Sequence, residues 1–340
     1  MSTIKTERCG KVGLITLNRP RALNALTLDM VEAMHVTLDD FEADERITVV
    51  VLRSGLPGVF CAGGDVRHVR ELSLAGRHGE AMRFFEREFA LNLRIARFGK
   101  PYLAVIDGIC FGGGLGLSVH GSFRIVGPSA VLAMPETAIG YIPDVGSSYF
   151  LSRLPPGVDL WLGLTGARVR SEHALELGLA THGLAPAQFD DLIAQLAAGD
   201  EVEASLAALG ATPASGHPEA TIDRMARHFG QTDLPSIFRS LEGDQDPAAA
   251  QALSALHAAS PRSLHLAFDL IRQGRQSSLE ACLDRELAAA EQTIQHPDFA
   301  EGVRALLVDK DRTPRWQSGR LADHSPGRGG AGEPSTFNHS

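Results

Sequence analysis

The sequence predicts an α/β fold in which strands and helices alternate, followed by a region made of helices. Val12–Leu17 (VGLITL) and Ile47–Leu52 (ITVVVL) have the apolar, β-branched composition of strands, and a helix that Thr27 can cap lies between them. A long helix over about Gly79–Arg97 and a strand over Tyr102–Asp107 come next. This alternation is typical of a parallel sheet that helices cover.

The composition of the chain changes at about residue 187, where short strands give way to helices rich in Ala and Leu. Residues 317–340 contain Gly, Ser, Pro and His with almost nothing to bury, so we expect this segment to be a disordered tail. The predicted organisation is a core over residues 1–187, a helical C-terminal region over 188–316 and a tail over 317–340.

Composition excludes several classes of function. The net charge of −9 argues against a general nucleic-acid binder, which would carry a basic patch. No apolar run reaches the roughly 18–20 residues that span a bilayer, and the first residues lack the apolar segment of a secretory signal. The four cysteines are far apart, without the spacing of a metal site, which fits a reducing compartment. We therefore expect a cytoplasmic enzyme without a metal.

Two glycine clusters are candidates for binding an anion or a developing oxyanion. Gly112–Gly114 lies between a predicted strand and a helix, and Gly63 and Gly64 lie in a predicted loop that ends at Asp65, which can cap the next helix. Glycines at such places also allow a strand and a helix to pack closely, and the sequence leaves both interpretations open. Two N–H groups, one from each cluster, could share one carbonyl oxygen.

Three carboxylates lie in apolar surroundings. Glu136 and Asp144 each follow a proline, and both are candidates for acid–base or nucleophilic chemistry. Asp144 could instead cap the next helix, and Glu136 could begin a turn. Glu88 falls within the apolar stripe of the long helix, where it needs a partner unless its stem reaches solvent. His120 precedes Gly121 at a predicted helix end and has the features of a structural residue.

Several motifs in combination resemble the crotonase (enoyl-CoA hydratase/isomerase) superfamily, and more narrowly its thioester hydrolases. They are NRPRALNAL, FCAGGD, the strand–GGG–helix segment, MPETAIGYIPDVGSSYFLSRL, PRSLHLAFDLI and HPDFAEGVRALLVDKDRTPRW, which together run from about Val12 to Trp316. The resemblance implies a spiral of ββα units whose C-terminal helices cover the core or a neighbouring subunit. It also implies an acyl-CoA substrate, no further cofactor, and no nucleic-acid or membrane partner. A homo-oligomer is one of the assembly states that the resemblance leaves open.

The resemblance also implies roles for individual residues. The thioester carbonyl would lie between the N–H groups of Gly64 and Gly113, which form the oxyanion hole. Glu88, Gly113, Glu136 and Asp144 would contact the substrate. The CoA moiety would run along the backbone of Ala22, Leu23 and Ala62.

One departure from the family pattern separates hydrolysis from hydration. Related hydratases carry a second catalytic glutamate at the position of Gly116, which favours thioester cleavage for this chain. In that reaction Glu136 would attack the carbonyl or activate a water, while Asp144 would orient the substrate and assist proton transfer. The alternatives are a hydratase or isomerase of the same superfamily and a silent CoA-binding protein.

Overall fold

The structure is a computed structural model that describes residues 2–215 and 220–317. The predicted tail therefore lies outside the described residues, except for Gln317. The strands are β1 Ile4–Cys9, β2 Val12–Leu17, β3 Val49–Ser54, β4 Val59–Cys61, β5 Tyr102–Ile106, β6 Ile109–Phe111, β7 Phe123–Val126, β8 Val131–Ala133, β9 Val169–Arg170, β10 His182–Gly183 and β11 Thr212–Pro213.

Helices occupy the connections between these strands and most of the chain after them. They are α1 Leu28–Ala43, α2 Val66–Leu74, α3 His78–Ala96, α4 Gly113–Gly116, α5 Ser147–Phe150, α6 Val158–Thr165, α7 Ser171–Glu176, α8 Phe189–Ala198, α9 Val202–Ala208, α10 Ala220–Phe229, α11 Leu234–Glu242, α12 Pro247–Ala258, α13 Pro261–Gly274, α14 Leu279–Ile294 and α15 Pro297–Val303. A π-helical turn, Arg304–Val308, follows α15 directly.

The strands form two sheets, and several pairs of consecutive strands are divided between them. The larger sheet has the order β1-β2-β3-β5-β7-β10-β11, and the smaller has the order β4-β6-β8-β9. In the pairs β3–β4, β5–β6 and β7–β8, the first strand joins the larger sheet and the second joins the smaller. Helices or a helical turn follow each pair, which is the predicted spiral of ββα units.

The predicted elements agree with the structure where a local signal is strong. Thr27 caps α1 by accepting a hydrogen bond from the N–H of Met30 at 3.3 Å, and α3 differs from its predicted bounds by one residue at each end. The short helix predicted to continue to His120 is wrong, because α4 ends at Gly116. The strand β4 lies within a predicted loop.

The helical C-terminal region contacts the core at several faces. The helices α8 and α9 bury Leu192, Leu196 and Leu206 against the larger sheet, so they complete a layer of the core. The helix α14 packs on α3, and α15 packs on α2. The division at residue 187 stays a prediction. Within the described residues, no helix is long and apolar enough to cross a membrane.

Candidate active site

The smaller sheet brings the predicted site residues to one edge. Its strands β4, β6 and β8 are parallel, so their carboxyl ends lie side by side. The segment after β4 contains Gly63 and Gly64, the segment after β6 contains Gly112 and Gly113, and Glu136 follows β8 after two residues. The carboxyl edge of a parallel sheet is the usual place for a ligand, because loops from several strands meet there.

The two glycine clusters meet in space. A Cβ placed on Gly113 would lie 3.4 Å from the nitrogen of Gly64 and 2.5 Å from Oε1 of Glu88. Gly63 has a φ of 105° and Gly112 a φ of 49°, which are values that glycine adopts at little cost. Backbone N–H groups from both clusters can therefore face the same small volume, which the spacing of the sequence alone could not show.

A cavity of about 340 Å³ opens beside these glycines. Glu88, Glu136 and Asp144 line it together with Gly64 and Gly113. Leu23 and Ala62 also line it, whereas Ala22 does not. The other walls are mostly apolar and include Phe84, Phe85, Ile109, Phe111, Ile139, Leu306 and Leu307. In the part of the chain that the structure describes, no Lys, Arg or His lines the cavity.

Glu136 is 8% exposed and begins a 3-10 helix, Glu136–Ile139. Its Oε1 lies so close to Gly112 that a Cβ there would be 2.5 Å away, and among the described residues its Oε2 has no hydrogen-bond partner. Burial raises the pKa of this carboxyl well above its usual range, and the charge of Asp144 adds to the effect. A buried carboxyl with a raised pKa at the wall of a cavity is a candidate for acid–base or nucleophilic chemistry.

Asp144 is 5% exposed and does not cap the next helix with its side chain. The capping interpretation is therefore wrong, because the short helix α5 begins without a side-chain cap and only the carbonyl of Asp144 accepts a hydrogen bond, from Ser147 N at 2.8 Å. Burial raises the pKa of the carboxyl to about 8, with a further contribution from the charge of Glu286. The Tyr141 hydroxyl beside it opposes that rise.

Glu88 is 2% exposed, so the interpretation in which its stem reaches solvent is wrong. Burial raises its pKa well above the usual range, and the charge of Asp144 contributes. Its Oε1 has no partner within the described part of the protein. A carboxyl that is buried without a partner costs free energy, and a functional contact with a ligand can compensate for that cost.

The remaining titratable side chains near the glycines have structural roles. The ring of His120 hydrogen-bonds through Nε2 to the carbonyl of Val145 at 2.7 Å. Burial lowers its pKa to about 4, so the ring is uncharged at neutral pH, which agrees with the structural role predicted for it. Burial also raises the pKa of the Cys61 thiol to about 12, and the pKa of the Cys110 thiol rises for the same reason. Both thiols are buried and therefore unreactive.

Three contributors to the site were missed by sequence reasoning. Tyr141 stacks on Phe85 with ring centroids 5.4 Å apart and lines the cavity beside Asp144. Leu306 and Leu307 close the cavity from the C-terminal end of the chain. The aromatic residue in the GYIPD segment was a possible signal for the first, but no local pattern indicates that a C-terminal turn reaches the site.

A hydrogen-bonded Ser240–His228–Asp244 chain lies elsewhere, with distances of 2.8 and 3.0 Å to the imidazole. No local spacing in the sequence indicates this pairing of a serine with a histidine. None of these three residues lines the cavity. Within residues 2–215 and 220–317, no group of three or more His, Cys, Asp or Glu side chains is arranged to hold a metal ion.

The chain is similar to known proteins along almost its whole length. The family model described as enoyl-CoA hydratase/isomerase matches residues 12–328. A relative from Danio rerio, named 3-hydroxyisobutyryl-CoA hydrolase, mitochondrial, is 37% identical over 94% of this chain and 86% of its own length. That relative's name agrees with the resemblance to the thioester hydrolases of the superfamily.

Two solved structures match the fold closely. One is titled an enoyl-CoA hydratase from Rhodobacter sphaeroides 2.4.1, with a TM-score of 0.88, 37% identity, and coverage of 96% of this chain and 95% of that chain. The other is titled a carnitinyl-CoA dehydratase from Mycobacterium thermoresistibile, with a TM-score of 0.88, 34% identity, and coverage of 96% and 94%. The predicted crotonase-like fold is confirmed.

The predicted cytoplasmic location is wrong, because the relatives from Danio rerio, Gallus gallus and Homo sapiens are all named as mitochondrial proteins. The prediction depended in part on the four dispersed cysteines, and dispersed cysteines do not distinguish one reducing compartment from another. The motifs, the fold and the matched length lead to one conclusion: this chain belongs to the enoyl-CoA hydratase/isomerase family, of the crotonase superfamily.

Proposed function

We propose that this protein hydrolyses the thioester of a short β-hydroxyacyl-CoA, in the first place 3-hydroxyisobutyryl-CoA, to the free hydroxy acid and CoA. The observation that supports the proposal most strongly is that the backbones of Gly64 and Gly113 lie close together beside the buried carboxyl of Glu136. The name of the Danio rerio relative supports the choice of substrate. A place in valine degradation is part of the same proposal.

The glycine backbones supply the electrostatic part of the mechanism. The carbonyl oxygen of the thioester would accept hydrogen bonds from the N–H groups of Gly64 and Gly113. These bonds strengthen as negative charge develops in the tetrahedral intermediate, and the loss of one such donor typically costs about 3–4 kcal/mol of transition-state stabilisation. The apolar walls exclude water and thereby strengthen both hydrogen bonds.

Glu136 supplies the nucleophile or the base. In the first route its carboxylate attacks the carbonyl carbon, the C–S bond breaks, and water then hydrolyses the mixed anhydride. In the second route the carboxylate takes a proton from a water molecule that attacks the same carbon. Asp144, whose pKa of about 8 keeps it largely protonated at neutral pH, can give a proton to the departing sulfur in either route.

The surroundings of Gly116 favour hydrolysis over hydration. A Cβ at this position would lie 2.7 Å from Cβ of Val145 and 2.8 Å from Nδ2 of Asn92. Separations below 3.0 Å require the neighbours to move, so a glutamate side chain does not fit here in this packing. Addition of water to an enoyl double bond by two acids would therefore lack its second acid.

The CoA moiety would lie along the segment that contains Ala22 and Leu23. The carbonyl of Leu23 accepts a hydrogen bond from the N–H of Ala62 at 3.0 Å, which joins this segment to the first glycine cluster. CoA would thus enter beside the oxyanion hole.

A homo-oligomer stays a proposal that sedimentation of the purified protein can test.

The test is an assay of free thiol with 3-hydroxyisobutyryl-CoA and a short panel of other hydroxyacyl-CoA thioesters, alongside hydration of crotonyl-CoA. We expect thiol release with hydroxyacyl substrates and little hydration. Hydration without thiol release would replace the proposal with the hydratase alternative. Binding of acyl-CoA without turnover of any thioester would identify a silent CoA-binding protein.

A further inference from the structure

The backbone that carries Asp144 has an unusual conformation. Val145 has a φ of 52° and Gly146 a φ of 81°. Glycine adopts such values readily, but a β-branched residue with positive φ is a genuine outlier that persists only when its surroundings hold it in place. The segment from Asp144 to Ser148, which we call the Asp144 loop, must therefore be held by other elements.

One side chain from a distant helix holds the Asp144 loop. The carboxylate of Glu286, on α14, is fully buried. Its Oε2 accepts a hydrogen bond from the N–H of Gly146 at 2.7 Å, and its Oε1 accepts bonds from the N–H and Oγ of Ser148 at 2.8 and 2.6 Å. On the other side, His120 hydrogen-bonds to the carbonyl of Val145. Both carboxylate oxygens of Glu286 are used within this one loop.

We infer that Glu286 is a positioning residue of this site: its carboxylate keeps the Asp144 loop in the strained conformation that presents Asp144 to the cavity. The kinetic effect that we expect rests on the proposed hydrolase function. The structural effect that we expect does not depend on that function. A glutamine cannot replace the carboxylate, because it offers one acceptor oxygen where the loop supplies two backbone N–H groups.

The charge of Glu286 adds an electrostatic consequence. After burial, that charge is the next cause that raises the pKa of Asp144 to about 8. Burial raises the pKa of Glu286 itself to about 7, and its hydrogen bonds from Ser148 and Gly146 and the charge of Arg285 oppose the rise. The other titratable groups that interact with Asp144 are Glu88 from α3, Glu136 after β8, and Tyr141.

The variant Glu286→Gln tests the inference, and Glu291→Gln, at an exposed position on the same helix, is the matched control. With 3-hydroxyisobutyryl-CoA we expect kcat of Glu286→Gln to fall at least tenfold, with KM within threefold of the parent value. We expect the control to leave both unchanged. A lower melting temperature with unchanged kcat per folded molecule would reduce Glu286 to a structural residue and overturn the inference.

A second readout needs no turnover. In protein labelled with ¹³C at the aspartate carboxyl carbons, with the Asp144 signal assigned through Asp144→Asn, the titration midpoint of Asp144 should fall in Glu286→Gln, because the charge of Glu286 contributes to the rise of that pKa. An unchanged midpoint would overturn the inference. If the parent protein releases no thiol from any thioester, the proposed function fails, while a shifted midpoint still supports the positioning role.

Ser148→Ala covers the case in which Glu286→Gln does not fold, because it removes only the Oγ hydrogen bond and leaves both backbone N–H donors. We expect a smaller change in kcat and in the Asp144 midpoint, in the same direction. A Ser148→Ala protein that matches the parent in both would overturn the inference.

Discussion

At Glu88, Glu136 and Asp144, burial raises the carboxyl pKa values above the usual range. The folded protein therefore binds these protons more tightly than the unfolded chain does. Their contribution to stability is most favourable below the unfolded pKa values, near 4, and is lost as the pH rises through the folded values. The acids that the proposed chemistry requires thus destabilise the fold at neutral and alkaline pH, which is a trade of stability for function.

Replacement of Asp144 by asparagine removes one of these costs. We expect Asp144→Asn to melt at a higher temperature than the parent at pH 8, because asparagine does not ionise inside the protein. The gain should shrink as the pH falls from about 8 towards 4, by at most about 1.4 kcal/mol of unfolding free energy per pH unit. Thermal unfolding at several pH values measures it.

The matched control is Asp200→Asn, at an exposed position after α8. Its melting temperature should follow that of the parent at every pH. A gain for Asp144→Asn that does not depend on pH would contradict the argument, because it would mean that Asp144 titrates normally in the folded protein.

Gly116 tests how tightly the site is packed where related hydratases carry an acid. We expect Gly116→Ala to lower the free energy of unfolding by about 1–3 kcal/mol, because the new Cβ would press against Val145 and Asn92. Gly79→Ala, near the start of α3, meets no atom within 4 Å and should be neutral or stabilising. Denaturant unfolding compares the two. Equal stability of both variants would mean that the space beside Gly116 is larger than the structure shows.

At the scale of elements, the smaller sheet and the C-terminal end of the chain assemble the cavity. The strands β4 and β6 have only three residues each, and they place both glycine clusters at the carboxyl edge of the smaller sheet. The turn Arg304–Val308 then closes the cavity, and α15, which directly precedes the turn, packs on α2. Arg70 donates from Nε to the carbonyl of Ala300 at 2.7 Å, and Arg67 donates to the carbonyl of Leu307.

Loosening of this attachment should weaken substrate binding more than chemistry. We expect Arg70→Ala to raise KM about tenfold, equivalent to about 1.4 kcal/mol, because a hydrogen bond from a charged donor is lost and the C-terminal wall becomes mobile. The fall in kcat should be smaller. Steady-state kinetics measure the two parameters, with Arg227→Ala, at an exposed position on α10, as the control. A change in kcat alone would assign Arg70 to the chemical step instead.

At the scale of the whole molecule, the sequence predicts local elements well and long-range approaches poorly. The strand β2 and the cap at Thr27 follow from composition and from one hydroxyl group. The three-residue strand β4 is too short to show a periodicity, so it was predicted as a loop.

In the site, too, features that depend on neighbouring residues can be predicted from the sequence, whereas contacts between residues far apart in the chain cannot. The acids at Glu136 and Asp144 could be singled out by their apolar neighbours and by the family resemblance. The hydrogen bonds that the N–H groups of Gly146 and Ser148 donate to Glu286 join residues 140 and 138 positions apart, and no local pattern indicates them. The pairing of the two glycine clusters likewise depends on the parallel register of β4 and β6.

The role of Glu136 in hydrolysis is tested by comparing CoA release by the parent protein and by Glu136→Gln, with 3-hydroxyisobutyryl-CoA as the substrate and acyl-CoA binding measured in parallel. Glutamine keeps the shape of the side chain but can neither attack a carbonyl as a carboxylate nor take a proton from water. We predict that thiol release falls by about three orders of magnitude or more, while the variant still binds acyl-CoA. Thiol release by Glu136→Gln at the parent rate would remove Glu136 from the mechanism and contradict the central claim.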